Sequence, residues 1–385
     1  MTTRNLADLR SAVDALDKVI LNALGERVRL TEEIASAKTV EAHPLRDPER
    51  EAALIAHRAS YGERLGLDPA VVRRVYEEIL EDSVRRQRNW RQPTAVDAPP
   101  LVVAYQGTEG AYGHEAAVRH FGVERRPVTF KAYRSFRETA EAVPHGDAMR
   151  AVLPIENSTA GSVLEVYDLL FRLNLSVVGE EVLEVRHCLL GVPGATLEGL
   201  VKVCSHPQAL AQCSEFLAEH PQVETEPAVN PALAARRVAE LGDPAQAAIA
   251  SADAGERHGL VVLARDIANQ AQNFTRFLVV SAVPEDCDPL SDAKVSLVFG
   301  TRHERGALVR CLNLLADEGV SLTKLESRPR PGTAWEYVFY VDCEGHLTEP
   351  RVQSALARLA GATQFLRVLG CYPRSVSPSA PPSQV

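Results

Sequence analysis

The sequence has no run of about 18 apolar residues, so it predicts no membrane-spanning helix. Its first residues, MTTRNLADLR, lack the hydrophobic core of a secretory signal. Positive charge is also scarce, since the net charge is −9 and the pI about 5.7. An acidic chain is poorly suited to bind nucleic acid or an anionic membrane. We therefore expect a cytoplasmic protein with neither kind of partner, in which local arginines bind any anionic ligand.

Cysteine pairs are missing as well. The seven cysteines include no C-x-x-C pair, and an odd, unpatterned set is typical of small buried side chains in a reducing compartment. The dinucleotide fingerprint G-x-G-x-x-G is absent. No residue set indicates a metal or an organic cofactor, so we expect none. The remaining composition is ordinary for a globular protein, and 385 residues predict two or three domains.

The most informative stretch is AVLPIENSTAGSV, residues 151–163. An apolar run predicts a buried strand, a polar loop follows it, and a helical pattern begins near position 164. Backbone N–H groups and short polar side chains at a helix N-terminus favour a site for a small anion. The alternative is a plain helix cap, which needs only one of these polar residues.

The first ninety residues predict three helices and no strand. Apolar side chains at helical spacing indicate one long helix over 5–38, followed by helices at about 48–62 and from Pro69 to about Gln87. Pro44 and Pro48 bracket the loop between the first two helices. Residues 1–90 are therefore predicted to form a small all-α domain.

Cations on the first helix indicate a binding site. Arg27 and Lys38 lie 11 residues apart, close to three whole turns, and share a face. Arg10 precedes Arg27 by 17 residues, about 25 Å along the axis. One small molecule cannot reach both on the same helix, so a shared site requires Arg10 from another subunit. A solvated helical face is the alternative interpretation. Polar pairs at i,i+4 spacing follow on the other helices: Asp47 and Glu51, with Arg50 between them, and Ser83 and Gln87.

Seven short runs keep a common register: Leu9-Arg10, Leu16-Asp17, Glu26-Arg27, Ala37-Lys38, Arg46-Asp47, Arg50-Glu51 and Glu81 to Gln87. Over about residues 5–88 they resemble the all-helical chorismate mutase family. The resemblance implies a pericyclic rearrangement of chorismate to prephenate, which needs positioning and charge stabilisation rather than an acid, a base or a nucleophile. It also implies an entwined homodimer, or a higher homo-oligomer.

The resemblance assigns a role to each polar residue of this domain. Arg27 and a partner-chain Arg10 would clamp the carboxylates. Lys38 and Gln87 would donate to the ether oxygen. Asp47, Arg50 and Glu51 would hold the ring-hydroxyl end, and Ser83 would complete the wall.

Residues 89–100 lack periodicity and end in two prolines, which predicts a linker. Strands and helices then alternate: strands at 101–105, 151–155, 176–185, 201–204 and 247–250, with helices from about 114, 163 and 209. This alternation predicts an α/β domain in two lobes with a cleft. Ser205 and Gln208 predict a capping box for the helix Ala209–Glu219, which makes His206 local structure rather than a base.

The segment NFTRF, residues 273–277, enters another strand, where Thr275 and Phe277 face one way and Arg276 the other. The runs PIENSTAGS, VCSHPQALAQC and NFTRF, in this order, resemble the prephenate dehydratase family across residues 101–282. The resemblance implies a periplasmic-binding-protein-like fold that converts prephenate to phenylpyruvate. It implies that Thr275 lies at the leaving hydroxyl and that Arg276 anchors a carboxylate. Phe277 would also contact the substrate, and the facing wall would comprise Glu156, Asn157, Ser158, Gly161 and Ser162.

Two positions depart from the family pattern. Gly113 stands where a serine is common, and Asn230-Pro231-Ala232 replaces a Ser/Asp-Thr-Ala step. Proline removes both a hydroxyl and an N–H. We expect an active but altered dehydratase.

A second linker, residues 283–292, precedes the order strand, helix, strand, strand, helix, strand. This order predicts a ferredoxin-like fold over residues 293–374, with a disordered tail at 375–385. Two segments resemble the ACT regulatory domain of the same dehydratases: Gly306-Ala307-Leu308 and Glu326-Ser327-Arg328-Pro329. The resemblance implies that both bind L-phenylalanine as effector.

Together, these resemblances imply a multidomain, bifunctional enzyme of phenylalanine biosynthesis. Two alternatives stay open. The middle domain is an arogenate dehydratase, or it is a weakened or dead dehydratase that acts as a phenylalanine sensor beside an active mutase.

Overall fold

A computed structural model describes residues 5–40, 47–91, 99–122, 126–289, 291–333 and 335–375. It divides into two compact units, one made of the first three helices and one that begins at Pro99. None of the seven cysteines, all of which lie in the described ranges, forms a disulfide. No helix within the described ranges is both long and apolar enough to cross a membrane.

The first unit consists of α1 (Leu6–Val40), α2 (Pro48–Arg64) and α3 (Pro69–Arg91). Helix α3 packs against both α1 and α2. The three predicted helices are confirmed, but α3 continues to Arg91, so 89–91 are helical and not part of a linker. The rest of that linker, 92–98, lies outside the described residues, as do 41–46 of the first loop.

The second unit starts with a sheet of order β2-β1-β3-β11-β5, with β4 beside β3. Its strands are β1 (Leu101–Gln106), β2 (Val128–Tyr133), β3 (Arg150–Asn157), β4 (Gly161–Ser162), β5 (Ser176–Glu184) and β11 (Phe274–Ser281). The helices of this lobe are α4 (Tyr112–Phe121), α5 (Phe136–Glu141) and α6 (Leu164–Arg172). Strand β11 runs antiparallel between β3 and β5, so the last strand of the module is inserted inside the first sheet, next to its edge strand β5.

Between β5 and β11 the chain forms a second sheet, of order β10-β6-β9-β7-β8. Its strands are β6 (Cys188–Gly191), β7 (Lys202–Ser205), β8 (Glu224–Pro227), β9 (Gln246–Ala250) and β10 (Val261–Ala264). Its helices are α7 (Pro207–Gln212), α8 (Ser214–Ala218), α9 (Pro231–Leu241) and α10 (Ala252–Arg257). The predicted α/β module of two lobes is confirmed.

The predicted helix Ala209–Glu219 is wrong in detail, because it divides at Cys213 into α7 and α8. The predicted capping box is wrong as well. His206 is the N-cap of α7, and its Nδ1 accepts the N–H of Gln208 at 3.2 Å. The Ser205 hydroxyl instead donates to the Ile249 carbonyl at 2.6 Å. Since Pro207 occupies the first helical turn, the cap falls on the residue directly before it.

The remaining elements follow the predicted order: β12 (Ala293–Thr301), α11 (Ala307–Asp317), β13 (Leu322–Pro329), β14 (Tyr337–Glu344), α12 (Pro350–Ala362) and β15 (Thr363–Pro373). They form an antiparallel sheet of order β13-β14-β12-β15. The predicted tail lies outside the described residues except for Ser375.

The C-terminal sheet packs directly on the first lobe. Val298, Tyr340 and Leu369 of this sheet share one hydrophobic cluster with Leu153 and Leu170 of the lobe. At Gly370 on β15, a Cβ atom would lie 1.8 Å from the Val177 carbonyl oxygen of β5. Only glycine fits such an approach, so this position fixes the sheet against the lobe.

Candidate active sites

Arg27 and Ser83 bring α1 and α3 together in the helical unit. Arg27 Nη1 donates to Ser83 Oγ and lies 3.4 Å from the Ile79 carbonyl oxygen. The Ser83 hydroxyl in turn donates to the same carbonyl at 2.7 Å. Burial lowers the pKa of Arg27 below its ordinary value. A guanidinium held this way in a partly buried position has donors left for a carboxylate.

Gln87 lies one turn after Ser83 and is 6% exposed. Among the described residues its Oε1 atom has no hydrogen-bond partner. An unsatisfied buried polar group costs about 1–3 kcal/mol, so this amide is a strong candidate for contact with a ligand. Lys38 is half-buried on α1, on the helix face it shares with Arg27.

The other predicted mutase residues lie elsewhere on the helices. Arg10 is exposed near the start of α1, and because α1 is unbroken over Leu6–Val40, its separation of about 25 Å from Arg27 stands. Asp47 is the N-cap of α2, where its Oδ1 accepts the Arg50 N–H at 3.0 Å. Glu51, in the first turn of α2, is half-buried. The structure therefore joins Arg27 to Ser83, with Gln87 one turn further along α3, and it does not bring Arg10 to them within one chain.

In the second unit, β3 and β11 place two predicted segments side by side. Thr275 is paired with Asn157, and Arg276 with Glu156. Successive side chains of a strand point to opposite faces. The predicted residues therefore divide into a pair around the Thr275 hydroxyl and a pair around the Arg276 guanidinium.

Hydrogen bonds fix the orientation of the Asn157 side-chain amide. Its Oδ1 accepts the backbone N–H groups of Thr159 at 3.1 Å and Ala160 at 2.9 Å. Since backbone N–H groups can only donate, the amide nitrogen must point the other way. There Nδ2 donates to Thr275 Oγ1 at 2.9 Å and to Asn273 Oδ1 at 2.7 Å.

This orientation determines what the Thr275 hydroxyl can do. Its oxygen accepts from Asn157, and within the described residues it makes no other hydrogen bond. The hydroxyl proton is therefore available to a substrate oxygen. Ser158 closes the same loop, since its N–H donates to the Phe274 carbonyl at 2.8 Å and its Oγ accepts the Phe274 N–H at 2.9 Å.

Gln212, at the end of α7, connects the second lobe to this loop. Its Nε2 donates to Thr159 Oγ1 at 2.6 Å, and its Oε1 accepts from Asn273 Nδ2 at 3.2 Å. His187 Nε2 lies 2.9 Å from the same Oε1. Burial lowers the pKa of His187, which favours the neutral ring. The side chains of Gln212, Asn273 and His187 therefore connect both lobes at the loop that holds Thr275.

Sequence reasoning missed these bridging residues. Gln212 and Asn273 lie inside the runs VCSHPQALAQC and NFTRF, so a signal for them existed. The hydroxyl of Tyr112 lies 3.5 Å from His187 Nδ1. Tyr112 is the first residue of α4 and comes directly after Gly110-Ala111 of the turn that follows β1. His187 has no distinguishing local pattern.

Arg276 is 8% exposed and binds three carboxylates. Its Nε donates to Glu156 at 2.6 Å, its Nη1 to Glu180 at 3.0 Å and its Nη2 to Asp342 of the C-terminal sheet at 2.7 Å. Although burial acts to lower it, these carboxylates, Asp342 foremost, hold the pKa of Arg276 well above its ordinary value. Anchoring of a substrate carboxylate by Arg276 stays a prediction, and it requires one of these partners to be exchanged.

Two lysines complete this buried network. Lys294 Nζ lies 2.9 Å from both Glu180 oxygens, and Lys324 Nζ lies 2.6 Å from Glu156 Oε2. Three cations thus face three carboxylates. Burial acts to raise the pKa of Glu156, but Arg276 and Lys324 outweigh it and the pKa is lowered. Both lysines come from the C-terminal module, so it shares its charges with the strands that carry Thr275 and Asn157.

The predicted effector segment on β13 also contacts the first lobe. Ser162 Oγ donates to Glu326 Oε2, and Arg328 binds Asp168 through two hydrogen bonds of 3.1 and 2.7 Å. Gly306 is the N-cap of α11 at φ 71°, a left-handed conformation that favours glycine. Between the segments 306–308 and 326–329, the described part of the chain shows no hydrogen bond or ion pair.

Phe277 is a correction to the predicted substrate contacts. It is 2% exposed and packs in the hydrophobic cluster of Val103, Phe121 and Leu183. Its side chain therefore offers almost no surface to a ligand. Gly161 has φ +82°, so the turn into β4 uses the conformational freedom of glycine.

The two departures from the family pattern have local structural roles. A Cβ atom at Gly113 would lie 3.0 Å from the Gln106 carbonyl oxygen. Asn230 is the N-cap of α9, where its Oδ1 accepts the Leu233 N–H at 2.8 Å, and Pro231 occupies the first turn. Here the asparagine provides the cap, and the proline is tolerated because its missing N–H would have no helical partner.

A helical unit with a half-buried arginine beside an unsatisfied amide, followed by a two-lobed α/β module with an oriented hydroxyl, defines a multidomain enzyme for small anionic substrates. Family models match both parts, chorismate mutase type II over residues 9–88 and prephenate dehydratase over residues 103–285.

Individual relatives agree with these matches. The bifunctional chorismate mutase/prephenate dehydratase of Enterobacter agglomerans is 38% identical over 98% of both chains. The solved prephenate dehydratase of Arthrobacter aurescens, in complex with L-Phe, is 30% identical over 71% of this chain and 90% of that chain, with a TM-score of 0.63. A structure described as GqqA, a novel type of quorum quenching acylase, is 35% identical over 71% of this chain and 98% of that chain, with a TM-score of 0.64.

The chain belongs to the family of bifunctional chorismate mutase/prephenate dehydratases. It is an enzyme with both activities, an isomerase in its helical part and a lyase in its α/β part.

Proposed function

We propose that this enzyme catalyses two successive steps of phenylalanine biosynthesis and that L-phenylalanine inhibits it. Residues 1–90 convert chorismate to prephenate, residues 101–282 convert prephenate to phenylpyruvate, and residues 293–374 bind the effector. The observation that carries the dehydratase assignment is the Asn157–Thr275 hydrogen bond of 2.9 Å, because it leaves the Thr275 proton to a substrate oxygen.

In the mutase site, Arg27 and an Arg10 from the partner subunit bind the two carboxylates of chorismate. Lys38 and Gln87 donate to the ether oxygen, where negative charge grows as the bond breaks. Ser83 holds Arg27 in place, and Asp47, Arg50 and Glu51 bind the ring-hydroxyl end. The burial of Gln87 one turn from Ser83 supports this assignment, since its Nε2 can donate to an ether oxygen there, whereas Oε1 can only accept.

Two observations support the proposed homodimer. Arg10 lies too far from Arg27 on one helix to share its ligand. The first half of α1 also leaves apolar side chains uncovered, with Leu6, Leu9, Leu16 and Ile20 between 47% and 63% exposed. A second copy of α1 covers this stripe and delivers Arg10 to the Arg27 site.

In the dehydratase site, the ring hydroxyl of prephenate leaves as water after taking up a proton, and the ring carboxylate leaves as CO2. The electrons of the broken carbon–carbon bond complete the aromatic ring of phenylpyruvate. Thr275 donates a hydrogen bond to the departing hydroxyl, with Asn157 and Ser158 fixing its loop. A threonine hydroxyl is too weak an acid to lose its own proton, so Thr275 orients the leaving group or relays a proton.

The C-terminal module is an ACT domain of ferredoxin-like topology, in which Gly306-Ala307-Leu308 and Glu326-Ser327-Arg328-Pro329 bind L-phenylalanine. The complex of the Arthrobacter aurescens relative with L-Phe supports this effector. The network around Arg276 then provides the physical connection, because it joins Asp342 and Lys324 of this module to the strands bearing Thr275 and Asn157.

One spectroscopic experiment tests the whole proposal. Purified enzyme is given chorismate, and the appearance of prephenate and phenylpyruvate is followed with and without L-phenylalanine. We expect both conversions, with less phenylpyruvate in the presence of L-phenylalanine. Accumulation of prephenate alone indicates a degenerate dehydratase acting as a sensor. A parallel assay supplies arogenate and prephenate separately, and faster turnover of arogenate indicates an arogenate dehydratase instead.

A further inference from the structure

Three side chains with metal-binding atoms meet at one edge of the C-terminal module. Cys287 lies in the segment between β11 and β12, His346 in the turn after β14, and Cys371 on β15. One ligand atom of each lies within 4.8 Å of the other two. The sequence indicated no metal site because these residues are far apart in the chain, and only the fold brings them together.

The distances suit a tetrahedral ion of the zinc class. With Zn–S near 2.3 Å and Zn–N near 2.0 Å, two ligands of one ion lie about 3.5–3.8 Å apart. Rotations of the cysteine and histidine side chains bridge the difference from 4.8 Å. Two thiolates and an imidazole form a soft donor set that selects zinc over magnesium or calcium.

Thr348 holds the His346 ring in place. Its backbone N–H donates to Nδ1 at 3.1 Å, and its Oγ1 lies 2.8 Å from the same atom. Since a backbone N–H can only donate, the ring proton lies on Nε2, which is 3.3 Å from the Cys287 carbonyl oxygen. Ligation through Nε2 therefore requires the other tautomer, in which the proton moves to Nδ1 and Thr348 Oγ1 accepts it.

Burial and connectivity indicate a structural role. His346 is 5% and Cys371 7% exposed, whereas Cys287 is half-buried. The partly open side leaves room for water as a fourth ligand. We propose that Cys287, His346 and Cys371 bind one zinc-class divalent ion per chain, which ties the connecting segment after β11 to the C-terminal sheet.

The test uses the full-length chain, purified under reductant and freed of metal with a chelator. Titration with Zn²⁺ alone, with metal content measured after gel filtration, is expected to give one ion per chain. Cys287→Ala, His346→Ala and Cys371→Ala are expected to lose that ion. Cys343→Ala, a buried cysteine on β14 outside the cluster, is the matched control and is expected to retain it. Circular dichroism of the metal-free variants verifies that each one folds.

Co²⁺ alone gives an independent signature. The wild type and the Cys343→Ala control are expected to show sulfur-to-cobalt charge-transfer bands and the visible absorption of a tetrahedral ion, and Zn²⁺ is expected to raise their melting temperatures. Equal metal content in all variants, a cobalt spectrum without thiolate bands, or recovery of Cys287 and Cys371 as a disulfide from reduced preparations would each overturn the proposal.

Discussion

Arg276 Nη2 and Asp342 Oδ2 lie 2.7 Å apart, and this ion pair joins the strand that carries Thr275 to the C-terminal sheet. Both residues are 8% exposed, so the pair has little access to water. Removing one partner of a buried ion pair leaves an uncompensated charge away from water, which destabilises the fold. A substitution of Asp342 should therefore affect Arg276 on β11, although Asp342 lies in a different module.

Asp342→Asn tests this connection. We expect the α/β unit to lose about 1.5–3 kcal/mol of unfolding free energy, the usual value of a hydrogen bond to a charged group. Inhibition of the dehydratase by L-phenylalanine should weaken, while mutase turnover is preserved. Urea unfolding and the coupled assay measure these effects. Glu240→Gln is the control, because it removes an exposed pair with Arg236, worth about 0–1 kcal/mol. Equal losses in the two variants would contradict a special role for Asp342.

Thr275→Val removes the hydroxyl and keeps the shape of the side chain. If the hydroxyl assists the departing oxygen, dehydratase kcat should fall by about 10²–10⁴-fold. The matched variant Thr275→Ser keeps the hydroxyl and should retain most of the activity. Steady-state kinetics with prephenate measures both, and a valine variant as active as the serine variant would remove Thr275 from the mechanism.

The parts of the fold that follow local patterns could be predicted from the sequence. The buried strand before Asn157 and the NFTRF strand are apolar runs with clear ends. The strands and helices of the C-terminal module are also apolar runs with clear ends. The cap of α7 could not be predicted as easily, because Ser205 and His206 are both plausible caps and the outcome depends on the contact of Ser205 with Ile249 on another strand.

The contacts of the site residues were still harder to predict from the sequence. The family resemblance assigns a substrate carboxylate to Arg276, but the sequence gave no sign that Asp342, 66 positions away, would bind Arg276. In the same way, Phe277 belongs to a specific motif and is expected to face the same way as Thr275, yet it packs in the core against Phe121 and Leu183. Long-range packing decides such cases, and no local pattern records it.

Asn157→Asp tests the orientation of the Thr275 hydroxyl. The variant has no amide N–H to donate, so the Thr275 hydroxyl should turn and donate to the new carboxylate. Its proton is then no longer offered to the substrate, and kcat should fall by about tenfold or more, since about 1.4 kcal/mol of lost stabilisation corresponds to a factor of ten. KM should change less. A fall confined to KM would show that Asn157 affects binding only.

Arg10 and Arg27 test the shared mutase site. Each of Arg10→Ala and Arg27→Ala should lose most mutase activity alone. Co-expressed with different tags, they should recover about a quarter of the wild-type activity, since half of the dimers formed at random are mixed and each contains one complete site. Co-expression of two differently tagged Arg10→Ala chains is the control. A mixed dimer no more active than this control would place Arg10 outside the site.

His187 makes the stability of the α/β unit depend on pH. Because burial lowers its pKa, the unfolded chain takes up a proton at this residue at a higher pH than the folded chain does. Stability from the neutral ring is therefore fully present above the ordinary histidine pKa of about 6.5 and is lost as pH falls below it. His187→Gln should remove this dependence. Urea unfolding of both proteins from about pH 8 to pH 5 should show the wild-type advantage shrinking at low pH. His258→Gln, a change at the half-buried histidine that follows α10 in the same lobe, serves as the control and should keep the wild-type slope. A constant difference between wild type and His187→Gln would show that His187 does not titrate on unfolding, and the neutral, bridging ring would lose its support.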